Sequence, residues 1–334
     1  MTKKRKNNFK KRILSSSYAL IIIAILFFSY SWFIGEYDLQ TSSTTMNIPK
    51  EQGSYEVYFC PRDNCTQEVL KRINNSTNIS CAFYDIDEPK IITALKNKNA
   101  EIIIFEDNYE GYGHKVKSKG LMHNKFCIFD NKLLMTGSMN PTKRGTAYND
   151  NNLFFINSPS LIKNYEDEFE EISSNNSINN PTTYEEITFN NKPIKNYFCP
   201  EDGCEEKILS ELETAKSSIK FMTFTFTSNP IGNLLLEKWN SGLNVEGVFE
   251  KRQKSQWWEF TLLNESGVPV YLDGNPYTMH HKVFIIDDKK VIFGSMNPTA
   301  SANNKNDENI IISYDPALAK KFLEEYEYVK GEAS

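Results

Sequence analysis

A pattern that occurs twice at one fixed offset constrains this chain more than any other feature. His280, Lys282 and Asp287 stand in the spacing H-x-K-x4-D, followed by Gly294, Ser295 and Asn297 in G-S-x-N. The same set recurs as His123, Lys125 and Asp130, then Gly137, Ser138 and Asn140. Both copies continue with Pro-Thr, and His123/His280, Asn140/Asn297 and Pro159/Pro316 are each 157 residues apart. In K-V-F-I-I-D-D-K-K-V-I-F-G, two apolar runs flank a charged turn, which reads as a strand, a tight turn and a return strand. His280 and Lys282 are two apart and share a strand face, as do Ser295 and Asn297 on the return strand or just past it. One patch thus offers an imidazole, an ammonium, a hydroxyl and an amide, and an ammonium with neutral donors suits a phosphate oxyanion. Two such patches face to face give two imidazoles, one to attack phosphorus and one to protonate the leaving oxygen.

These residues resemble the two HKD motifs of the phospholipase D superfamily, and the resemblance covers nearly all of the chain after the first ~50 residues. It implies a catalytic set of His123, Lys125, Asp130, His280, Lys282 and Asp287, with the two halves paired about a pseudo-twofold axis and the site at their junction. It further implies a two-step reaction through a phosphohistidine. Ser138, Asn140, Ser295 and Asn297 are expected to hold the phosphoryl oxygens beside the lysines, whereas Asp130 and Asp287 are expected to anchor local structure more than to touch substrate. No cofactor is required, and no metal-ligand spacing stands out.

The chain begins with Lys3, Lys4, Arg5, Lys6, Lys10, Lys11 and Arg12 and no acid. Ile13–Ile34 follows without a charge, and at 22 residues it can span a bilayer. Basic residues before it place the N-terminus in the cytoplasm and the bulk of the chain outside. A cleaved signal peptide would have a shorter apolar core ending in small residues, whereas this run ends Ser29-Tyr30-Ser31-Trp32-Phe33-Ile34, so an uncleaved signal-anchor over 13–35 is favoured. Seven of the 38 basic residues and none of the 43 acids lie before residue 36, leaving 31 bases against 43 acids, a net of −12. Proteins that hold nucleic acid unspecifically show the opposite balance.

Four of the six cysteines lie in a second repeated motif, Y-F-C-P-x-D-x-C, at Cys60/Cys65 and Cys199/Cys204. Four thiols could bind zinc, but on an outward-facing domain two local disulfides, Cys60–Cys65 and Cys199–Cys204, are preferred. Cys81 and Cys127 lie in apolar strand patterns and are expected as buried thiols.

Each half reads as a strand into the C-P turn, a helix (66–73; 205–216), a strand (79–84; 218–226), a helix (88–97; 229–240), a strand (101–105; 245–249), the hairpin, a strand (152–156; 309–313), and a closing helix behind Ser158 or Asp315 as N-cap. The expected fold is α/β, an α+β mixed sheet: two pseudo-symmetric α/β/α halves forming one bilobal unit, plus an N-terminal transmembrane helix. The segments are a basic tail (1–12), the anchor (13–35), a linker (36–52), a first repeat (53–172), a linker (173–193) and a second repeat (194–334).

The halves differ twice. The second carries about 16 extra residues around Lys251–Tyr277, with Trp257, Trp258 and Phe260 either packed as core or forming a rim over substrate. In the family, an acid 28 positions beyond each motif histidine commonly accepts a hydrogen bond from that ring; for His280 this is Glu308, for His123 it is Asn151. A carboxylate raises its imidazole's pKa and an amide only orients it, so His123 is expected as nucleophile and His280 as general acid.

The expected function is a membrane-anchored phosphoric diester hydrolase acting on a phospholipid head group. The alternatives are a metal-independent surface nuclease cleaving DNA or RNA, and a catalytically impaired binding module. Transfer to an alcohol is less favoured, because the phosphatidyl-transferring members usually have a pair of membrane segments. Expected partners are the phospholipid or nucleic-acid diester and the membrane through residues 13–35, with no obligatory protein partner.

Overall fold

The structure is a computed structural model that describes residues 48–174 and 180–333. The expected tail, the signal-anchor and most of the 36–52 linker lie outside the described residues. Among those described, no helix is long and apolar enough to cross a membrane.

The chain first adds a short strand, β1 (Lys50–Glu51), and then builds the first half. That half runs β2 (Tyr55–Cys60), α1 (Cys65–Asn75), β3 (Ile79–Phe83), α2 (Pro89–Asn97), β4 (Glu101–Phe105), β5 (His114–Val116), the hairpin β6 (Lys125–Phe129) and β7 (Leu133–Gly137), α3 (Lys143–Ala147), β8 (Asn151–Ile156) and α4 (Pro159–Ser173). The second half opens with β9 (Glu186–Phe189) and β10 (Lys192–Cys199), then repeats the series. It runs α5 (Cys204–Glu213), β11 (Ser218–Thr223), α6 (Asn229–Asn240), β12 (Asn244–Phe249), α7 (Glu259–Glu265), β13 (Val270–Leu272), β14 (Lys282–Ile286), β15 (Lys290–Gly294), α8 (Ala300–Asn304), β16 (Glu308–Ser313) and α9 (Pro316–Glu332).

The duplication is visible in the sheets. The first has the order β2-β8-β7-β6-β3-β4-β5, and the second contains the same series as β10-β16-β15-β14-β11-β12-β13. In each, the strands after the central one run parallel and the hairpin side antiparallel, so both sheets are mixed, as strands alternating with helices require. The second sheet carries two additional strands, β9 and β1, which pair in parallel. This corrects the expected linker at 173–193: its polar composition hides the strand β9 and the start of β10, because a short edge strand needs little apolar sequence.

The helix starts are locally encoded. Ser158 Oγ accepts from Leu161 N–H at 3.3 Å, and Asp315 accepts from Ala317 N–H at 2.9 Å, each ahead of a proline at the first turn. The two closing helices bury aromatic faces at the junction of the halves. Phe322 of α9 meets Phe59 of the first sheet at 5.3 Å and Phe293 of the second at 4.9 Å, and Tyr165 of α4 meets Phe198 at 4.9 Å. One continuous apolar core therefore joins both halves, and it fixes the two hairpins relative to each other.

The disulfides Cys60–Cys65 and Cys199–Cys204 form as expected. The expectation of buried thiols at Cys81 and Cys127 is overturned: they form a third disulfide. The two residues are directly opposed in the antiparallel pairing of β3 with β6. Nothing in the local sequence of either strand reveals that pairing. The bond closes a loop of 46 residues against 5 for each of the others, and in the chain-entropy account this is worth about 4 kcal/mol against about 2. A Cys81→Ala/Cys127→Ala variant is therefore expected to lose roughly twice the stability lost by Cys60→Ala/Cys65→Ala. Denaturant unfolding of the two variants measures this, and equal losses would contradict it.

Candidate active site

The two hairpins deliver their functional residues to the junction. Lys125 opens β6 and Lys282 opens β14, and in each case the histidine lies two residues earlier. The backbone ahead of each strand is hydrogen-bonded to the opposite half. His123 N–H donates to Asp307 O (2.9 Å) and Asp307 N–H to Leu121 O (2.9 Å). Symmetrically, His280 N–H donates to Asp150 O (2.8 Å) and Asp150 N–H to Thr278 O (2.9 Å).

This exchange decides which residue orients which histidine. Asp307 leads directly into Glu308 at the start of β16, and the Glu308 carboxylate accepts from His123 Nδ1 at 2.7 Å. Asp150 leads into Asn151 at the start of β8, and Asn151 Oδ1 accepts from His280 Nδ1 at 2.9 Å, with Ser138 O at 3.1 Å. Asn151 and Glu308 are the orienting residues, but the expected pairing is reversed: each histidine is held from the other half. Asn151 is itself fixed, since its Nδ2 donates to Gly145 O at 3.0 Å and its Oδ1 accepts from Ser138 Oγ at 2.9 Å. Only acceptors face both Nδ1 atoms, so both rings carry the Nδ1 proton and leave Nε2 for chemistry.

The site is buried and cationic. His123 and His280 are 7% and 9% exposed, and Lys125 and Lys282 are 1% and 3% exposed. Each ammonium donates to the carbonyl of the histidine two residues earlier, Lys282 at 2.7 Å. Burial pushes Lys125 down to about 7, with Glu308 and Asp85 pulling the other way. Burial and then the Lys125 charge hold Lys282 well below its usual value. Burial brings His123 down to about 4 against the pull of Glu308. Burial, then Lys282, Lys125 and His123, hold His280 well below 6.5. Burial works to raise Glu308, but the His123 and Lys125 charges win and keep it ionised. The lysines and histidines thus gather around the Glu308 carboxylate, with Asp85 also acting on Lys125. An anion bound between the lysines would add a countercharge, and a phosphodiester monoanion is such an anion.

Two expected roles, those of the serines, change. Ser138 and Ser295 are fully buried, and their hydroxyls donate to the orienting residues, Ser295 to Glu308 at 2.7 Å. They also accept the backbone N–H of Asn152 and Asn309 at 3.0 and 2.9 Å. Asp130 and Asp287 anchor local structure, away from the lysines. They sit at the far end of their hairpin strands, a five-residue strand or roughly 16 Å from the lysines. There Asp130 accepts from Thr77 N, Thr77 Oγ1 and Asn78 N at 2.8–2.9 Å, and Asp287 accepts from the N–H groups of Lys216, Ser217 and Ser218. Both have positive φ, at the turn. Asn140 and Asn297 lie just past their hairpins; Asn140 Oδ1 is buried and has no hydrogen-bond partner among the described residues, and Asn297 Oδ1 accepts from Thr225 N at 3.4 Å.

Sequence reasoning missed an aromatic beside each histidine. Tyr84 sits edge-on to His123 at 4.9 Å and Phe224 to His280 at 4.6 Å. Lys125 and Lys282 lie 5.2 and 5.0 Å from the same rings. It also missed the polar layer behind the site. Asn309 Nδ2 donates to Asn124 Oδ1 at 2.6 Å and Asn124 Nδ2 to Glu168 at 2.7 Å. Opposite them, Asn152 Nδ2 donates to His281 Nδ1 at 3.2 Å and His281 Nε2 donates to Glu325 at 3.0 Å. Asn124/His281, Asn152/Asn309 and Glu168/Glu325 keep the 157-residue offset, and that offset, applied to polar residues in apolar runs, would have found them.

Comparison with known proteins places this geometry. A family model described as "Cardiolipin synthase, PLD-like domain" matches residues 73–173 and 208–330. The phospholipase D of Rickettsia bellii (strain RML369-C) is 32% identical over 136 residues, 40% of this chain and 67% of that protein. The mitochondrial cardiolipin hydrolase of Homo sapiens is 32% identical over 124 residues, 37% of this chain and 49% of that protein. The chain thus spans between half and two thirds of the length of these relatives. The phosphatidylserine synthase of Haemophilus influenzae Rd KW20 superposes with a TM-score of 0.62 at 12% identity, over 86% of this chain and 88% of that one, a likeness of fold alone.

Proposed function

The chain belongs to the phospholipase D-like (PLD-like) domain family, and from that membership we propose that it is a phosphoric diester hydrolase that removes the head group of a phospholipid through a phosphohistidine. The observation that carries the reading is the pair of buried histidines, each with Nδ1 anchored and Nε2 open, between two buried lysines. One site therefore holds a nucleophile, a proton donor and an anion cradle, and the relatives named phospholipase D and cardiolipin hydrolase supply the substrate class.

In the first step the His123 Nε2 lone pair attacks phosphorus. The P–O bond to the alcohol breaks, and the His280 Nε2 proton goes to the departing oxygen. In the second, water gives a proton to His280 while its oxygen attacks phosphorus, and the P–N bond breaks. Lys125 and Lys282 hold the phosphoryl oxygens as charge builds, with Asn140 and Asn297 as neutral donors. The division of roles follows from where charge develops. His123 becomes a cation on forming the N–P bond, and Glu308 stabilises that cation. His280 loses its positive charge on giving up its proton, and the neutral Asn151 does not resist that loss. His123 thus stays the nucleophile and His280 the acid, for this reason and not for the pairing expected from the sequence, which the structure crosses.

The chain is further read as anchored through residues 13–35 with its catalytic part outside the cytoplasm. Three disulfides among the described residues suit an oxidising compartment.

The test incubates the full chain, in chelator, with phospholipid vesicles and separately with single- and double-stranded DNA, beside His123→Ala. Head-group release that disappears in the variant is expected. DNA cleavage that disappears in the variant, without lipid hydrolysis, would replace the reading with that of a nuclease.

A further inference from the structure

The rim of the site is not symmetric. On the first half Asp85 and Asp87 follow β3 and Glu106, Asp107 and Glu110 follow β4, with Lys115, Lys117 and Lys119 after them and Lys117 3.8 Å from Glu106. On the second half the extra segment 251–277 adds cations and rings. Gln253 Oε1 accepts from Thr225 Oγ1 at 3.1 Å, beside the Phe224 that contacts His280, so the segment sits at the entrance. Arg252 donates to Pro276 O at 2.6 Å, and Asn275 Nδ2 donates to Tyr148 O at 3.2 Å, which joins the segment to the loop after α3. There the Tyr148 and Tyr277 rings meet tilted at 4.5 Å, and Arg144 lies 6.0 Å from the Tyr277 ring. Tyr277 is only three residues ahead of His280.

Within this segment two adjacent tryptophans have opposite fates. Trp258 is 4% exposed and packs on Phe249 and Phe260, at 5.6 and 4.8 Å. That anchor turns its neighbour Trp257 outward, 70% exposed, beside the exposed Lys254. Glu250 and Asp273 are buried and bonded by Lys251 and Arg252, Glu259 is buried, and Glu265 is exposed at the end of α7. Around Lys254 and Trp257 the surface presented outward is aromatic and cationic, on a domain of net charge −12. A large exposed ring beside Lys and Arg matches the boundary between head groups and acyl chains, where an amphipathic ring and a cation both find partners.

We propose that this rim, formed by Arg144, Tyr148, Arg252, Lys254, Trp257 and Tyr277, docks the chain on an anionic phospholipid surface and presents head groups to the site beside it. The proposal rests on the phospholipid reading and names its substrate as lipid packed in an anionic interface. A nucleic-acid strand fits the rim less well. Tyr148 and Tyr277 lie against each other at 4.5 Å instead of offering successive faces for bases.

The experiment uses the full chain in phosphatidylcholine vesicles with or without phosphatidylglycerol. The emission of Trp257, taken as the difference between the native chain and Trp257→Phe, is measured against acyl chains carrying bromine. Quenching that depends on phosphatidylglycerol is expected. In parallel, hydrolysis of vesicle phosphatidylglycerol is divided by hydrolysis of a short-chain phosphatidylglycerol below its micelle concentration. In Trp257→Ala/Arg144→Glu/Lys254→Glu this ratio is expected to fall about tenfold, while Lys320→Glu on α9 keeps it. An unquenched Trp257 with an unchanged ratio would overturn the proposal. So would a single-stranded oligonucleotide that binds the native chain and not the triple variant while the vesicle ratio holds. Quenching without any lipid hydrolysis would leave the docking surface standing and sink the substrate reading instead.

Discussion

In a His280→Ala variant, a diester with an activated aryl leaving group releases one equivalent of that group and then stops, with phosphorus retained on His123. An aryloxide of low pKa departs without a proton, so the first step survives the loss of the general acid. The second step needs a base to take a proton from water, and that base is the same missing imidazole. Turnover on an ordinary alkyl diester is expected to fall about 10²–10⁴-fold, the usual worth of one positioned acid and base. The stoichiometric burst and the position of the phosphoryl group, mapped on fragments kept at alkaline pH, check both halves of the statement. Phosphorus recovered on His280 from the reciprocal His123→Ala variant would reverse the roles.

The two orienting residues give the second large effect, with different signatures at the two histidines. In Glu308→Gln the imidazolium that forms at His123 loses its countercharge, and a neutral amide can also face the ring with its NH2 group and select the wrong tautomer. A fall in kcat of about 10²-fold or more across the whole pH range is expected. In Asn151→Asp the change acts on protonation. His280 is held well below 6.5 by burial and by Lys282, Lys125 and His123, and His123 stands at about 4. In the native chain kcat/KM therefore already declines with rising pH near neutrality. A carboxylate at 151 favours the charged ring and raises the His280 pKa, so protonated His280 persists to higher pH. The alkaline limb then moves upward by about 1 unit or more. The pH profiles of the two variants measure this, and a profile for Asn151→Asp that does not move would mean that His280 is not the proton donor. A merely structural role for residue 151 would change the height of the curve and leave its limb in place.

Much of this was legible in the sequence because it is written locally. The hairpins read from two apolar runs around a turn, and Ser158 and Asp315 read as caps because a cap is decided within three or four residues. Cys60–Cys65 and Cys199–Cys204 are close in any fold. The duplication was visible as a constant offset, and the family resemblance pointed to both orienting residues. What the offset could not say is which orienting residue serves which histidine. Glu308 stands 28 residues beyond His280 and 185 beyond His123, and the shorter separation is the natural choice from sequence. The backbone exchange at Leu121–His123 with Asp307, and at Thr278–His280 with Asp150, selects the longer.

The sequence by itself therefore determined the repeated unit, its strands and caps, its local disulfides and the chemical identities gathered at the site. Tertiary structure alone decided the crossing of partners between halves, the bond between Cys81 and Cys127, the inward turn of the two serine hydroxyls and the outward turn of Trp257. The physical reason is the pseudo-symmetry itself. Two copies of one motif offer near-equivalent partners within and between halves, and periodicity and spacing are the same for both choices. Only the packing of α4 and α9 across the junction, which sets the halves face to face, makes one choice geometrically possible.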